Sequence, residues 1–224
     1  MIDNIYVFDD IIDKPYQDLI KETLIGGQNP PTIDVVEEGF PWYFTSDITD
    51  STHEGPFQGR YGFSHLYVNA EEGVVSNFHN LFSGLIKNSC KKLKMKKIDI
   101  IQGRSFLSTP RDIPKDSVDT PHVDLCSPHF VMLYYVNDSD GDTLIYNEKS
   151  NYSDQFPDGI EFTLKKKVSP KKGRVVLFNG IHWHTAQQPN HNLRCIVNYD
   201  LRDLSLVTPG GVRMLRHLSV DLHI

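Results

Sequence analysis

Two short segments, far apart in the chain, carry residue types that could bind one metal ion. The first contains His122 and Asp124, separated by a single residue. Side chains at positions i and i+2 leave the same face of a β-strand, so both can converge on one ion. The second contains His182 and His184 and is followed by Arg194. Two histidines and one carboxylate on one face of an octahedron are typical of non-haem Fe(II) sites, because this arrangement leaves positions open for chemistry.

The sequence around the second segment predicts β-strands. Residues 172–178 (KGRVVLF) open with a glycine turn and are rich in β-branched side chains, as are residues 193–199 (LRCIVNY). Arg194 is therefore expected one strand beyond the paired histidines. A planar guanidinium can hold a carboxylate by two parallel hydrogen bonds and stays charged when buried. Arg194 could thus bind the far end of an acid that chelates the metal.

These motifs, taken in order, resemble the 2-oxoglutarate-dependent Fe(II) oxygenases, and more narrowly their prolyl-4-hydroxylase-like branch. The resemblance covers about the C-terminal half of the chain, from Ile98 to Leu201. A shorter segment, residues 40–44 (FPWYF), resembles small phage-type or marine bacterial members. The matching pieces are His122, Asp124, Gly141, Asp142 and Thr143, Gly173 and Arg174 through Phe178, His184, Pro189 and Arg194.

Two histidines compete for the role of third metal ligand. His182 and His184 lie on the same face if the strand continues through both. We favour His184, because its spacing to Pro189 and Arg194 is closer to that of the family. His182 is the alternative ligand, and otherwise it is expected at the rim of the site.

Three further residues are candidates for contacting the co-substrate. Side chains alternate along a strand, so one of Tyr134 and Tyr135 must face inward. An inward tyrosine could donate a hydrogen bond to the co-substrate carboxylate, as tyrosines do in related enzymes, and the sequence leaves open which one does so. Asn198 shares a strand face with Arg194 and could line the pocket floor, or it could bind a neighbouring backbone group.

The resemblance implies a fold, a cofactor set and a reaction. The implied fold is mainly β with flanking helices (α+β), a double-stranded β-helix or cupin-like jelly roll backed by N-terminal helices. Fe(II) would be bound by His122, Asp124 and His184, with 2-oxoglutarate as co-substrate, dioxygen as oxidant and ascorbate as an accessory reductant. The implied activity is hydroxylation of a C–H bond with release of succinate and CO2. A peptidyl proline is the first substrate to consider, and other peptide, protein or small-molecule substrates stay open.

Other functions remain compatible with part of the pattern. A cupin-like metal-dependent isomerase or sugar enzyme could use the same ligands, but it does not need Arg194 behind the metal. A noncatalytic jelly-roll binding protein would need neither feature. Nucleic-acid demethylases of related fold carry a second arginine on the Arg194 strand, where this chain has Asp200.

Composition favours a soluble cytoplasmic protein, or one in the host cytoplasm if it is phage-encoded. The net charge of −6 provides no global basic field that would attract nucleic acid. Three cysteines without a Cys-X-X-Cys pair favour a reducing compartment. Neither an N-terminal signal nor an apolar run of ~20 residues suggests a membrane segment. The sequence leaves the oligomeric state open.

The 224 residues are enough for one catalytic domain with extensions. Residues 1–97 are expected to form an N-terminal helical support and covering segment. It contains a short strand at residues 5–8, a helix capped by Asp13, an irregular stretch from 28 to 62 and a helix from about Glu71 to Lys94. Residues 98–204 are expected to form the β-helix core with the metal site, and residues 205–224 a C-terminal extension.

Overall fold

The computed structural model describes residues 4–26, 39–48, 60–114, 117–151, 159–206 and 219–221. Most of the irregular stretch expected from 28 to 62, and most of the C-terminal extension, lies outside these ranges. The elements are β1 (Tyr6–Phe8), α1 (Lys14–Ile25), β2 (Tyr43–Thr45), β3 (Gly62–Asn69), β4 (Gly73–Val74), a 3-10 helix (Asn77–Phe82), α2 (Ser83–Lys92), β5 (Lys97–Ser108), β6 (Phe130–Tyr135), β7 (Thr143–Lys149), β8 (Leu164–Val168), β9 (Val175–Asn179), β10 (His182–Ala186), β11 (Arg194–Asp203), a second 3-10 helix (Leu204–Leu206) and β12 (Ser219–Asp221).

The strands form two antiparallel sheets. The major sheet has the order β1-β9-β6-β11-β5-β3-β2, with β4 paired to β3 and β12 paired to β5, and the minor sheet has the order β10-β7-β8. One apolar cluster lies between the two sheets and includes Leu133, Ile145 and Phe178. This arrangement confirms the prediction of a mainly β, double-stranded β-helix fold.

The opposite face of the major sheet packs against the two α-helices. Strand β6 is buried along its whole length, as expected for a short continuous apolar run. Its alternate residues Met132 and Tyr134 join a second apolar cluster with Ile20 of α1 and Leu85 of α2. The helices therefore back the major sheet, as predicted. Neither α-helix in the described ranges combines the length and apolar character needed to span a bilayer.

Helix α1 begins and ends where its sequence signals predict. The carboxylate of Asp13 accepts a hydrogen bond from the backbone N–H of Tyr16 at 3.0 Å, which caps the first turn. The helix ends at Gly26, whose φ of +79° is accessible mainly to glycine.

The helix predicted from about Glu71 to Lys94 is wrong in its first half. The side chain of Asn69 accepts hydrogen bonds from the N–H groups of Glu71 and Glu72, which forms a turn instead of a helix start. Gly73, with φ +77°, then returns the chain to pair β4 with β3. The α-helix begins only at Ser83, after a 3-10 turn.

The major sheet also includes strands from the first 97 residues. Strand β3 pairs with β5, β2 pairs with β3, and β1 pairs with β9 at the opposite edge. The N-terminal part therefore contributes strands as well as helical support. A single domain over residues 1–224 stays a prediction.

We predict that Gly103→Ala destabilises the protein. Gly103 lies on β5 against the buried ring of Tyr199, and a Cβ at Gly103 would come within 2.2 Å of that ring. Overpacking of this kind costs about 1–3 kcal/mol of unfolding free energy. Urea denaturation would measure the change beside Gly39→Ala, where an added Cβ meets nothing within 4 Å. Equal unfolding free energies for the two variants would contradict this packing account.

Candidate metal centre

His122 and His184 are brought together by backbone pairing. The N–H of His122 donates to the carbonyl of His184 at 2.9 Å, and the N–H of His184 donates to the carbonyl of His122 at 3.0 Å. The segment before β6 thereby extends the minor sheet alongside β10. The centroids of the two imidazole rings lie 4.6 Å apart.

Asp124 completes a group of three possible metal ligands. Its Oδ2 lies 3.3 Å from Nε2 of His184, and its Oδ1 lies 4.0 Å from Nε2 of His122. One ligand atom from each residue lies within 4.8 Å of the others. The side chains of Asp124 and His184 are 3% and 9% exposed, whereas that of His122 is 41% exposed. The site is therefore closed on two sides and open beside His122.

The orientation of both imidazoles suits metal binding. Nδ1 of His122 faces the carbonyl of Thr120 at 3.2 Å, and Nδ1 of His184 faces the carbonyl of His182 at 3.1 Å. Donation from Nδ1 to a carbonyl turns Nε2 of each ring toward Asp124, so Nε2 becomes the ligand atom once it is deprotonated, as is usual for histidines that bind metals. This donor set fits a divalent transition metal such as Fe(II).

The protonation states also suit metal binding. Desolvation, followed by the charge of His184, lowers the pKa of His122 from its usual range to about 4. Desolvation alone would raise the pKa of Asp124, but its hydrogen bond with His184 and the charges of His184 and Arg104 hold it well below the usual range. At neutral pH His122 is thus neutral and Asp124 ionised, the forms that bind metals.

His182 does not join this group. Its Nδ1 lies 2.9 Å from the carbonyl of Tyr146, and its Nε2 lies 3.2 Å from Nζ of Lys165. The register of the β10–β7 pair shifts between His182 and His184. This irregularity separates two side chains that a regular strand would place on one face.

Arg194 is buried beside the minor sheet and bonded to neutral groups. Its Nε donates to the carbonyl of Gly141 at 2.9 Å, and its Nη2 donates to Oγ1 of Thr143 at 2.9 Å. A Cβ at Gly141 would come within 2.9 Å of the Arg194 side chain, so glycine allows this approach. Among the described residues no carboxylate lies within ion-pair distance of Arg194. A buried cation with neutral partners is suited to binding an anion.

The structure separates the two candidate tyrosines. Tyr135 faces the space between the sheets, and its hydroxyl donates to Oγ1 of Thr143 at 2.8 Å, close to Arg194. Tyr134 faces the helices on the other side of the sheet, so Tyr135 is the inward member of the pair and the only one of the two that could reach a co-substrate there. Thr143 joins Arg194 to Tyr135 and was not singled out from the sequence, although it lies within the matching motif.

Asn198 lies beside the metal ligands. Its Nδ2 is 3.4 Å from Oδ1 and 3.5 Å from Oδ2 of Asp124. Asn198 and Arg194 leave the same face of β11, as expected, and Asn198 is the one closer to Asp124.

Three charged or titratable residues near Asp124 were not among the predicted site residues. Nη2 of Arg104 donates to Oδ1 of Asp124 at 2.7 Å, and it lies 3.9 Å from Oδ2 of Asp200. Nε2 of His129 lies 3.9 Å from Oδ1 of Asp200. Burial, followed by the charge of Asp124, raises the pKa of Asp200 well above its usual range. Asp124, His129 and Asp200 form a second group with metal-ligand spacing, and it shares Asp124 with the first.

No protein-family model matches this sequence, and no curated protein matches it. Several solved structures are similar to this chain over about nine-tenths of its length or more. An oxidoreductase of the 2OG-Fe(II) oxygenase family from Burkholderia pseudomallei has a TM-score of 0.57 and 12% identity, and the match covers 89% of this chain and 85% of that one. The α-ketoglutarate-dependent epimerase SnoN of nogalamycin biosynthesis has a TM-score of 0.57 and 10% identity, with coverage of 96% and 89%.

A third similar structure is a prolyl hydroxylase from Trichoplax adhaerens in complex with a peptide of hypoxia inducible factor. Its TM-score is 0.54 at 9% identity, and the match covers 91% of this chain and 85% of that one. At identities this low, the structural similarity demonstrates a common fold only, and the activity must be argued from the site. The chain has the double-stranded β-helix fold of the 2-oxoglutarate- and Fe(II)-dependent oxygenases.

Proposed function

We propose that this protein is a 2-oxoglutarate- and Fe(II)-dependent oxygenase. His122, Asp124 and His184 would hold the metal, and their convergence within 4.8 Å supports this assignment. With 2-oxoglutarate bound, Fe(II) would activate dioxygen to hydroxylate a C–H bond, with release of succinate and CO2. Ascorbate as an accessory reductant stays a prediction.

The observation that carries the proposal is the burial of Arg194 without a carboxylate partner among the described residues. Its guanidinium would bind the far carboxylate of 2-oxoglutarate. Oγ1 of Thr143 and the hydroxyl of Tyr135 lie next to it and would complete the anion site. A cupin-like isomerase or a noncatalytic barrel has no use for such a cation behind its metal ligands.

The side chains around the metal ligands would control access. Asp124 and His184 are buried, and Phe178 packs its ring 5.0 Å from that of His184. These groups would exclude water from the closed side of the centre, where electrostatic interactions are strengthened. The substrate would approach from the side of His122, the most exposed of the three ligands.

For the substrate, we propose a proline within a peptide. The similarity to a prolyl hydroxylase solved with a peptide supports this choice. Exposed aromatic side chains on the edge strand β2, namely Tyr43 and Phe44, offer flat apolar surfaces suited to packing against proline rings. Oxidation or epimerisation of a small molecule is the second candidate, favoured by the similarity to SnoN over 96% of this chain. Location in the cytoplasm also stays a prediction.

We predict that Arg194→Met weakens the binding of 2-oxoglutarate. Loss of hydrogen bonds between charged groups costs about 1.5–3 kcal/mol, roughly a 10-fold to 100-fold rise in the half-saturating concentration. The measurement is anaerobic visible absorption of the Fe(II) protein titrated with 2-oxoglutarate, which follows the metal-to-ligand charge-transfer band.

The matched control is Arg174→Met, which removes an arginine that pairs with Asp9 near the surface. This control should bind 2-oxoglutarate like the wild type. If Arg194→Met bound 2-oxoglutarate with the affinity of the wild type, the proposed role of Arg194 would be contradicted. If the wild type bound metal but gave no charge-transfer band with 2-oxoglutarate, the proposed class of enzyme would be contradicted.

We predict that His184→Ala and His182→Ala have different effects on metal binding. Removing His184 should lower the affinity for Mn(II) by more than about 100-fold, since even residues that only support a ligand contribute 10-fold to 100-fold. Removing His182 should change it by only a few-fold, because His182 contacts Tyr146 and Lys165 instead. Isothermal titration calorimetry would measure both affinities, and the reverse order would make His182 the ligand.

We predict that proline-containing peptides stimulate the release of succinate and gain one oxygen atom. Mass spectrometry of the peptide after incubation with Fe(II), 2-oxoglutarate and dioxygen would detect this gain. The same peptides with alanine in place of proline are the substrate control, and Asp124→Ala is the enzyme control. Succinate release without any change in the peptides would instead favour a small-molecule substrate.

A further inference from the structure

Arg104 is placed to act on the proposed metal centre through Asp124. It lies on β5 directly opposite Asn198 of β11, so its side chain enters the space between the sheets. Its guanidinium carbon lies 5.2 Å from the ring centroid of Phe106, and this cation–π contact helps to hold the Arg104 side chain in place. The Asp124 side chain is 3% exposed, so its hydrogen bond with Arg104 is formed largely out of water.

The two carboxylate oxygens of Asp124 have different neighbours. Nε2 of His184 is closest to Oδ2, at 3.3 Å, whereas Nη2 of Arg104 holds Oδ1 at 2.7 Å. A charge-assisted hydrogen bond of this length opposes rotation of the carboxylate. Oδ1, which also lies 4.0 Å from Nε2 of His122, is thereby bonded to Arg104, and Oδ2 is left facing His184.

A buried acid and a buried imidazole lie beside Arg104 and Asp124. Asp200 is 1% exposed, lies 3.9 Å from Nη2 of Arg104, and has an oxygen within 4.8 Å of the Asp124 carboxylate. His129 packs between Asp200 and the backbone of Gly180. A Cβ added at Gly180 would come within 2.0 Å of Nε2 of His129, so only glycine leaves room for this ring. Its Nδ1 faces the carbonyl of Ser127 at 2.7 Å, which fixes the ring.

The competing interpretation is that a second metal ion, and not Arg104, binds the carboxylates of Asp124 and Asp200. Asp124, His129 and Asp200 have the spacing of metal ligands. The guanidinium, however, already supplies positive charge beside both carboxylates, and a second divalent ion would lie against it. The geometry therefore favours Arg104 as the partner of Oδ1.

We propose that Arg104 is a positioning residue that holds Oδ1 of Asp124, so that this carboxylate offers a single oxygen to the metal. Two-oxygen coordination by Asp124 would occupy a position that a chelating 2-oxo acid needs. Arg104 thus keeps that position open. This inference rests on the proposed oxygenase function.

The test compares Arg104→Met with the wild type in two measurements. Water-proton relaxation of the Mn(II)-loaded protein counts metal-bound waters, and Arg104→Met should have about one fewer because Oδ1 then binds the metal. Its affinity for Mn(II) should not fall, because a ligand is gained and a nearby positive charge is lost. In the Fe(II) protein, the half-saturating concentration of 2-oxoglutarate should rise about 10-fold to 100-fold.

Two further variants separate positioning from other effects. Arg111→Met removes an arginine that stacks on Tyr61, and it should behave like the wild type in both measurements. Arg104→Lys keeps the positive charge and one donor nitrogen. It should recover part of the metal-bound water lost in Arg104→Met and part of the 2-oxoglutarate affinity.

Several results would overturn the inference. Weaker binding of 2-oxoglutarate with an unchanged water count would make Arg104 only a source of charge, and a parallel fall in Mn(II) affinity and thermal stability would make it only structural. Two Mn(II) ions per chain in the wild type, reduced to one by Asp200→Asn, would assign Oδ1 to a second cation. If the wild type bound no metal, the proposed function itself would fail, and this result is distinct from the others.

Discussion

The burial of the Asp124 carboxylate is the constraint on which the rest of the site depends. Placing an ionised carboxylate in the interior costs on the order of several kcal/mol unless partners compensate for the lost water. Here His184 contacts one oxygen, Arg104 donates to the other, and Asn198 approaches both. These partners come from three different strands, so the charge can be stabilised only when both sheets are assembled. A metal ion between Asp124 and the two histidines would complete the compensation.

The major sheet separates two environments by the alternation of its side chains. One face of β11 carries Val197 and Tyr199 into the apolar cluster beneath the helices. The other face carries Arg194, Asn198 and Asp200 toward the minor sheet, and all three are buried. The apolar face anchors the strand, and this rigid support holds the polar side chains at defined depths. Precise placement of this kind is what a site for a chelated co-substrate requires.

The same fold supports more than one reaction, since a prolyl hydroxylase and an epimerase are both similar to this chain. Fold similarity therefore does not select the substrate. The selection must come from side chains near the open side of the centre, close to His122. The proposed anion site around Arg194 and the proposed metal ligands would be common to any such reaction, because they would serve the co-substrate rather than the substrate.

The sequence by itself determined the residues whose spacing is local. The one-residue spacing of His122 and Asp124 predicted that both could bind one ion, although Asp124 lies in a bend and not in a strand, and the capped start of α1 at Asp13 depends only on its own first turn. The β-rich runs and their order predicted the two-sheet fold. The helix proposed from Glu71 failed because a turn at Asn69 competed with it, and apolar spacing alone does not reveal such competition.

Only the tertiary structure decided the contacts between strands. A register irregularity placed His184, and not His182, beside Asp124, and the packing of helices on one face of β6 made Tyr135 the inward tyrosine. Arg104 and Asp200 meet Asp124 through pairings between strands that are distant in sequence. Strand register depends on the sum of many weak interactions across a sheet, and no local pattern in the chain encodes which side chains will face each other.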